Sequence, residues 1–188
     1  MDGKLIIFSA PSGAGKTTVV KELLKIFSNF EFSVSATSRA PRGVERDGVD
    51  YHFLSNDEFM SRVERGEFVE WEEVYAGTCY GTLRAEMERI WSKGNVILFD
   101  VDVMGGIRLK EIFGDAACSV FVMPPSIDTL RERLIGRATD APEVIEKRVN
   151  KAEFEISKAP HFDHTIVNDV LAVAVEQTQE VIRNFLEA

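Results

Sequence analysis

Apolar residues recur along the chain in short runs, separated by segments with helical spacing. Residues 4–9 form an almost continuous apolar run, which is typical of a strand buried on both faces. Further apolar runs predict strands at 95–101, 118–123 and 164–167. One-face helical spacing starts at Val19 and recurs in four later segments, which predicts a first helix and then helices at 105–113, 126–136, 143–158 and 170–186. This alternation predicts an α/β fold in which helices flank a parallel sheet.

Residues 33–82 interrupt the alternation. They contain three short strand-like segments, "FSVSATS", "DYHFLS" and "EFVEWEEVY", and turns such as "RDGVD". A second irregular stretch, "GRATDAPEV", lies between two predicted helices and is typical of a mobile flap. We therefore expect three parts: a nucleoside triphosphate-binding core of residues 1–32, 83–135 and 149–188, a small, mostly β insert of residues 33–82, and a short lid of residues 136–148.

Composition narrows the classes of partner. The chain has 188 residues and a net charge of −9, which argues against broad attraction to nucleic acid or an anionic membrane. Any anionic ligand must then be held by a few positioned Lys or Arg side chains. Cys79 and Cys118 lie far apart with no CxxC spacing, so no disulfide framework or zinc site is indicated. The first residues lack a signal-peptide pattern, and we expect a cytoplasmic protein.

Residues 10–17, "APSGAGKT", differ from the phosphate-binding loop Gly-x-x-x-x-Gly-Lys-Ser/Thr only at Ala10. Gly13 and Gly15 allow the backbone to turn its N–H groups inward and form an anion nest. In such a loop Lys16 reaches the β- and γ-phosphates and the Thr17 hydroxyl binds Mg²⁺. The alternative is a Gly-rich turn that only caps a core helix. Because the loop follows a buried strand and opens a helix, we predict a nucleotide-binding P-loop.

The insert carries residues suited to a phosphate. Arg39 and Arg42 flank Ala-Pro, and Pro41 restricts the backbone beside the second arginine. Two planar guanidinium groups on a constrained turn suit bidentate capture of a phosphate, to which Tyr51 adds a hydroxyl. The alternative is that both arginines are solvated surface charges.

The same insert carries residues suited to guanine. A carboxylate such as Glu70 accepts from both the N1–H and the N2 amino group of guanine, while hydroxyls of Ser35 or Thr82 donate to O6. Adenine presents a bare N1 lone pair at the corresponding place and repels the carboxylate. Alternatively, Glu70 lies on the outward face of a strand, and Tyr80 and Thr82 stabilise a turn around Gly81.

Taken as a set, the segments of this chain resemble the guanylate kinase family over essentially the whole length. The segments are "SAPSGAGKT", "SVSATSRAPR", "DGVDYHF", "GEFVEW", "YGT", "DVDVMGG", "LRERLIGR", "KRV" and "IVND", in the order and spacing of that family. Two departures are Met104, where the family commonly has Gln, and a lid with Ala138 and Pro142. These departures do not change the reaction that the resemblance implies, but they leave the lid dynamics and the turnover rate undetermined.

The resemblance implies ATP-dependent phosphorylation of GMP to GDP with Mg²⁺ as cofactor, and it implies a role for each matching position. The residues matched to GMP binding are Ser35, Arg39, Arg42, Tyr51, Glu70, Tyr80, Thr82, Asp100 and Asp102. Those matched to ATP binding are Ala10, Pro11, Ser12, Gly13, Ala14, Gly15, Lys16, Thr17, Thr18, Arg133, Asn168 and Asp169. The catalytic set is Lys16, Arg42, Arg137 and Arg148. The expected metal-binding residues are Thr17 and Asp100, with the division between Asp100 and Asp102 left open.

Other functions stay as alternatives at this point. A P-loop kinase acting on another small phosphate ester, such as ribose 1,5-bisphosphate, has no use for Glu70, Ser35 and Thr82. A non-catalytic guanylate-kinase-like module that binds phosphopeptides loses the intact P-loop, which Lys16 and Thr17 preserve here. A GTPase lacks support because no Asn-Lys-x-Asp motif follows the loop. We expect ATP and GMP, with dGMP as a further acceptor, to be the partners of a monomer or homodimer that binds neither nucleic acid nor membrane.

Overall fold

The structure is a computed structural model that describes residues 3–75, 77–136 and 142–188. Within these ranges the chain forms nine β-strands and seven α-helices. The strands are β1 (Leu5–Ser9), β2 (Phe30–Phe32), β3 (Ala36–Thr37), β4 (His52–Phe53), β5 (Phe68–Tyr75), β6 (Thr78–Leu83), β7 (Val96–Asp100), β8 (Ala117–Met123) and β9 (His164–Val167). The helices are α1 (Lys16–Ile26), α2 (Asn56–Glu64), α3 (Arg84–Trp91), α4 (Val103–Phe113), α5 (Ile127–Gly136), α6 (Pro142–Ser157) and α7 (Leu171–Glu187).

The chain divides into two compact units. The first unit comprises Met1–Phe30 with Leu98–Ala188, and the second unit comprises Glu31–Ile97. The expected lid begins at Gly136, but residues 137–141, which include Arg137 and Ala138, lie outside the described residues. Residues 142–148 of the expected lid form the first turns of α6.

A five-stranded sheet with strand order β2-β7-β1-β8-β9 forms the centre of the α/β core. β1 runs parallel to β8, with Leu5 opposite Ala117, and β8 runs parallel to β9, with Val120 opposite His164. All five residues of β1 are buried, as its continuous apolar run predicts for a strand covered on both faces. Since parallel strands share one carboxyl edge, Ser9 and Met123 end at the same side of the sheet.

Helices cover this sheet as the alternation of patterns predicts. α4 packs on β1 and β8, α1 packs against α7, and α5 packs against α6. Leu130 and Leu134 of α5 meet Ile145 and Val149 of α6 in one buried cluster. The predicted bounds of the later strands and helices of the core lie within two residues of the observed ones. The α/β prediction, with a parallel sheet flanked by helices, is confirmed.

The second unit is built on a four-stranded sheet with strand order β4-β3-β6-β5. β6 pairs antiparallel with β3 and β5, and β3 pairs parallel with β4. Its core centres on Phe59, whose ring stacks on that of Phe68 with 4.4 Å between centroids.

Phe59 belongs to α2, a helix that the expectation of a mostly β segment omitted. The signal for α2 was present in the sequence as "SNDE", because Ser55 and Glu58 stand at the spacing of a capping box. In the structure the Ser55 hydroxyl caps the helix by accepting a hydrogen bond from the Glu58 N–H at 3.1 Å. The expected mostly β segment therefore also contains a capped helix between two of its predicted strands.

Gly81 lies inside β6, where the neighbouring strand leaves no room for a side chain. A Cβ atom at this position would stand 2.7 Å from the Glu70 carbonyl oxygen and 2.8 Å from the Trp71 Cβ. We expect Gly81→Ala to lower the free energy of unfolding by about 1–3 kcal/mol, because the strand pair has to separate to admit the methyl group. Urea unfolding followed by circular dichroism measures this change.

Gly136→Ala is the matched control for Gly81→Ala. Among the described residues, no heavy atom lies within 4 Å of a Cβ at Gly136, the last residue of α5. We expect that variant to change the free energy of unfolding by less than about 0.5 kcal/mol. Equal losses in the two variants would contradict the steric explanation.

Within the described ranges no helix combines the length and the apolar character that crossing a membrane requires.

Candidate active site

The loop between β1 and α1 has the backbone conformation of an anion nest. Gly13 and Gly15 have φ values of 96° and 91°, in the left-handed region that side chains disfavour. α1 starts at Lys16, directly after Gly15, so its positive N-terminal end points at the same place. Two glycines and a helix start thus supply the donors that phosphate groups require.

Side chains from other segments hold this loop in shape. The Asn168 amide donates to the Ala14 carbonyl at 2.8 Å, and Arg133 donates to the Ala14 and Asn168 carbonyls at 3.4 and 2.9 Å. A Cβ at Gly15 would stand 2.3 Å from the Asn168 amide nitrogen, so only glycine admits this contact. Asn168 and Arg133 therefore support the loop, a role that the sequence did not indicate.

Two cavities border the loop. One, of about 360 Å³, is lined by Ala10, Pro11, Ser12, Gly13, Gly15, Lys16, Thr17, Thr18, Asp100, Val101, Asp102 and Glu155. The other, of about 420 Å³, is lined by Gly13, Gly15, Thr18, Arg133, Gly136, Asn168, Asp169 and Leu171. Apart from the buried Ala14, every residue matched to ATP binding lines one of these cavities.

The two aspartates after β7 have different partners. Lys16 forms an ion pair with Asp100 and donates to the Val101 carbonyl at 2.9 Å. The Asp102 carboxylate instead accepts from the Gly105 N–H at 2.8 Å and so caps α4. Asp100 is thus paired with the lysine of the loop, whereas one carboxylate oxygen of Asp102 accepts a hydrogen bond at the start of α4.

The donors around the first cavity suit Mg²⁺ that arrives with a nucleotide. Mg²⁺ is commonly held by one or two carboxylates together with substrate phosphates and water. Thr17 and Asp100 offer a hydroxyl and a carboxylate to the same cavity. Among residues 3–75, 77–136 and 142–188, no group of three or more His, Cys, Asp or Glu side chains could hold a metal ion. A site completed by phosphate oxygens fits this donor set.

In the second unit, the predicted phosphate-binding residues cluster around Arg39. Its Nε–H donates to the Tyr80 hydroxyl at 3.1 Å, and its guanidinium carbon lies 4.9 Å from the centre of the Tyr51 ring. The rings of Tyr51 and Tyr80 meet edge to face at 5.9 Å. Arg39 thus contacts both tyrosines, one through a hydrogen bond and one through its ring.

Glu45 completes this cluster, and the sequence reading missed it. Its carboxylate accepts two hydrogen bonds from the Arg39 guanidinium, at 2.6 and 2.8 Å, and a third from the Arg42 N–H at 2.7 Å. The hydrogen bonds from Arg39 lower the pKa of Glu45 to about 2, so the carboxylate stays ionised at neutral pH. The available signal was an acidic residue three positions after Arg42 in a turn.

Glu70 and Thr82 form the second polar group of this unit. They lie opposite each other on β5 and β6, and the Thr82 hydroxyl donates to the Glu70 carboxylate at 2.8 Å. Tyr80 and Thr82 are two residues apart on β6, so their side chains project from the same face of the sheet. That face therefore carries Tyr80, which contacts Arg39, beside the Glu70 carboxylate, which accepts from the Thr82 hydroxyl.

For the remaining predicted residues the structure gives a position in the fold. The Ser35 carbonyl accepts a hydrogen bond from the His52 N–H at 2.9 Å. Ser35 lies just before β3, and its side chain is half-buried. Arg148 is half-buried on α6. Arg137 lies outside the described residues. The ATP-matched residues gather in the first unit, and the GMP-matched ones gather in the second unit, apart from Asp100 and Asp102.

Comparison with known proteins gives a consistent family. A family model described as guanylate kinase matches residues 2–185. A guanylate kinase from Bacteroides thetaiotaomicron is 55% identical over 99% of this chain and 91% of its own length. One from Porphyromonas gingivalis is 52% identical over 97% of this chain and 98% of its own length.

Solved structures agree. The crystal structure of guanylate kinase from Anaplasma phagocytophilum has a TM-score of 0.72 and 32% identity, and the match covers 97% of this chain and 85% of that one. A shikimate kinase from Bacteroides thetaiotaomicron, with 17% identity and a TM-score of 0.53 over 96% of this chain and 98% of that one, shares the fold alone.

Proposed function

Because the chain belongs to the guanylate kinase family, we propose that it phosphorylates GMP through the two groups of residues described above. The reaction is ATP + GMP → ADP + GDP, an in-line transfer of the γ-phosphoryl group. One observation supports this assignment of residues. Tyr80, which contacts Arg39, and Thr82, which contacts Glu70, project from the same face of the sheet of the second unit. In this assignment Arg39 and Tyr80 bind the phosphate of GMP. The Glu70 carboxylate accepts hydrogen bonds from the guanine base at the other end of the same molecule.

On the donor side, the loop of residues 10–17 binds the phosphates of ATP through its backbone N–H groups and Lys16. Lys16 is paired with Asp100 in this structure, so it exchanges that carboxylate for phosphate oxygens when ATP binds. The cavity beside Arg133, Asn168 and Asp169 receives the nucleoside part of ATP. Thr17 and Asp100 hold Mg²⁺, which supplies charge neutralisation on the phosphate oxygens when bound.

On the acceptor side, Arg39, Tyr51 and Tyr80 bind the phosphate of GMP together with Arg42. Glu45 keeps the Arg39 side chain in place through its two hydrogen bonds. Glu70 accepts both guanine donors, and Thr82 holds its carboxylate in the plane that they require. Ser35 supplies the hydroxyl that donates to O6.

Transfer itself requires charge compensation more than covalent chemistry. Two phosphate groups that approach one another repel strongly in a site with little water. Arg42, Arg137 and Arg148 compensate this charge, the last two when the lid closes over the nucleotides. Closure also excludes water, which would otherwise take the phosphoryl group in place of GMP.

A coupled assay of ADP production tests the function. With MgATP, we expect turnover with GMP and dGMP, a kcat/KM for AMP lower by about 10⁴–10⁵-fold, and no turnover above background with CMP or ribose 1,5-bisphosphate. Lys16→Ala, purified in parallel, controls for contaminating kinases. Turnover with ribose 1,5-bisphosphate alone would identify a different phosphate-ester kinase, and no turnover with any acceptor would favour the phosphopeptide-binding module.

Assembly and location follow from the same proposal. Both substrates are cytoplasmic metabolites, so we place the protein in the cytoplasm, as a monomer or homodimer. Light scattering during size-exclusion chromatography distinguishes the two assemblies.

A further inference from the structure

Glu86 is a buried carboxylate that no motif of the sequence singles out and that the proposed reaction does not use. It lies in the first turn of α3, four residues after Thr82, and is 5% exposed. A carboxylate is rarely buried to this degree unless it is paired, because water solvates its charge better than a protein interior does. The partners of Glu86 therefore indicate what the residue does.

Arg89, almost one turn further along α3, compensates the charge. Its Nε and Nη2 groups donate to the two carboxylate oxygens of Glu86 at 2.9 and 2.8 Å. Its Nη1 group donates to Glu31, which also accepts from Lys93 and Asn95 at 2.9 Å each. A two-pronged pair of this kind fixes the plane of the carboxylate, so Glu86 presents its oxygens in a defined direction.

The same carboxylate holds the backbone beside Ser35. Residues 33–35 connect β2 to β3. The Val34 N–H donates to Oε1 of Glu86 at 3.1 Å, and the Ser35 carbonyl accepts from the His52 N–H at 2.9 Å. The dipeptide is thus fixed at both ends, at one end by a side chain of α3 and at the other by the backbone of β4.

Three segments with residues matched to GMP binding meet at this carboxylate. The His52 Nε2 atom lies 3.6 Å from Oε2 of Glu86, which links β4 to the same group. Ser35 follows the bonded N–H directly, Tyr51 comes just before β4, and Thr82 comes shortly before α3. All of these residues belong to the second unit.

We propose that Glu86 is a positioning residue for guanine, which holds the Val34 N–H and so places the Ser35 hydroxyl to donate to O6 of the base. The part that concerns O6 rests on the proposed function, whereas the contact with Val34 does not. A hydroxyl bond requires an oxygen–oxygen distance of about 2.5–3.0 Å, so a small shift of the backbone abolishes it. The N–H needs an acceptor oxygen rather than a negative charge.

Two substitutions separate the acceptor oxygen from the charge. Glu86→Gln retains an oxygen for the Val34 N–H and removes the charge. Glu86→Met has a similar length and no oxygen. Glu86→Ala also lacks an acceptor and takes the place of Glu86→Met in every comparison if that variant is unfolded. Glu88→Met is the matched control, because Glu88 is exposed on the same helix. Urea unfolding establishes that each variant is folded under the assay conditions.

The first measurement is hydrogen exchange of the Val34 amide in the full chain without nucleotide, followed by NMR. We expect exchange at least about tenfold faster in Glu86→Met than in the unchanged protein, because the amide loses its acceptor. Glu86→Gln and Glu88→Met should exchange within about threefold of the unchanged protein. Unchanged exchange in Glu86→Met would overturn the proposal.

The second measurement compares GMP with 6-thio-GMP as the acceptor of the phosphoryl group. Sulfur replaces O6 in the analogue and accepts hydrogen bonds weakly, whereas the N1–H and N2 amino groups remain. We expect the unchanged protein and Glu86→Gln to prefer GMP by about tenfold in kcat/KM, and Glu86→Met by less than about threefold. An undiminished preference in Glu86→Met, or no preference in the unchanged protein, would overturn the role at O6.

A double-mutant cycle with Ser35→Ala tests whether Glu86 acts through Ser35. We expect Glu86→Met to lower kcat/KM for GMP by about 3–10-fold when Ser35 is present and by less than about twofold when Ser35 is alanine. Equal losses in the two backgrounds would assign the effect to general destabilisation and overturn the proposal. If the unchanged protein lacks GMP-dependent turnover, the proposed function fails, and the exchange measurement still decides the Val34 contact.

Discussion

Replacing Arg148 with alanine is expected to lower kcat by about 10³–10⁵-fold, the scale of arginines that act only in the transition state of phosphoryl transfer. The KM for GMP should change less than about threefold, because this arginine compensates charge that develops during transfer rather than binding GMP. Steady-state kinetics of ADP production at saturating MgATP, with GMP varied, separates the two constants.

Lys147→Ala provides the control for this experiment. Lys147 precedes Arg148 on α6, is exposed, and projects about 100° away around the helix. The Lys147→Ala variant also removes one positive charge, but it leaves Arg148 in place. We therefore expect its kcat to be nearly unchanged. A loss of less than about tenfold in Arg148→Ala would exclude Arg148 from the groups that stabilise the transition state.

The second large effect concerns the choice of base. We expect the unchanged protein to prefer GMP over AMP by about 10⁴–10⁵ in kcat/KM, because a site built on hydrogen bonds rejects a base that leaves them unmade. Glu70→Gln should lower this preference to below about 10², since an amide presents one acceptor and one donor where guanine presents two donors. Competition assays with both nucleotides measure the ratio directly.

Glu72→Gln is the matched control for the base-selection experiment. Glu72 lies two residues further along β5, opposite Tyr80, and is exposed. It undergoes the same chemical change without the Thr82 hydroxyl bond that orients Glu70. Comparable AMP and GMP turnover by the unchanged protein, or an unaltered ratio in Glu70→Gln, would show that the carboxylate does not read the base.

Local patterns predicted the core well because they act over a few residues. Continuous apolar runs mark strands covered on both faces, and "SGAGKT" places the glycines and the lysine of the loop next to one another. The sequence analysis assigned no element to the residues of α2, although the capping signal at Ser55 was present in the sequence.

The partners of polar side chains were less predictable. Asp100 and Asp102 look equivalent in "DVDV", but the first pairs with Lys16 and the second caps α4. Thr82 was expected to donate to a guanine oxygen, and in this structure its hydroxyl donates to Glu70. The end of β7 determines the partners of the two aspartates, and the pairing of β5 with β6 determines the partner of Thr82. The sequence alone did not distinguish these partners from the alternatives.

The sequence by itself determined the alternation of strands and helices, the composition of the phosphate-binding loop and the residue types available to a phosphate and a base. Only the tertiary structure decided that the Glu45 carboxylate accepts hydrogen bonds from Arg39 and that the Asn168 amide donates to the Ala14 carbonyl. The physical reason is the range of the interactions. Backbone preferences and apolar periodicity act between near neighbours in the chain, whereas a buried polar group pairs with whichever donor or acceptor the packed fold brings within about 3 Å.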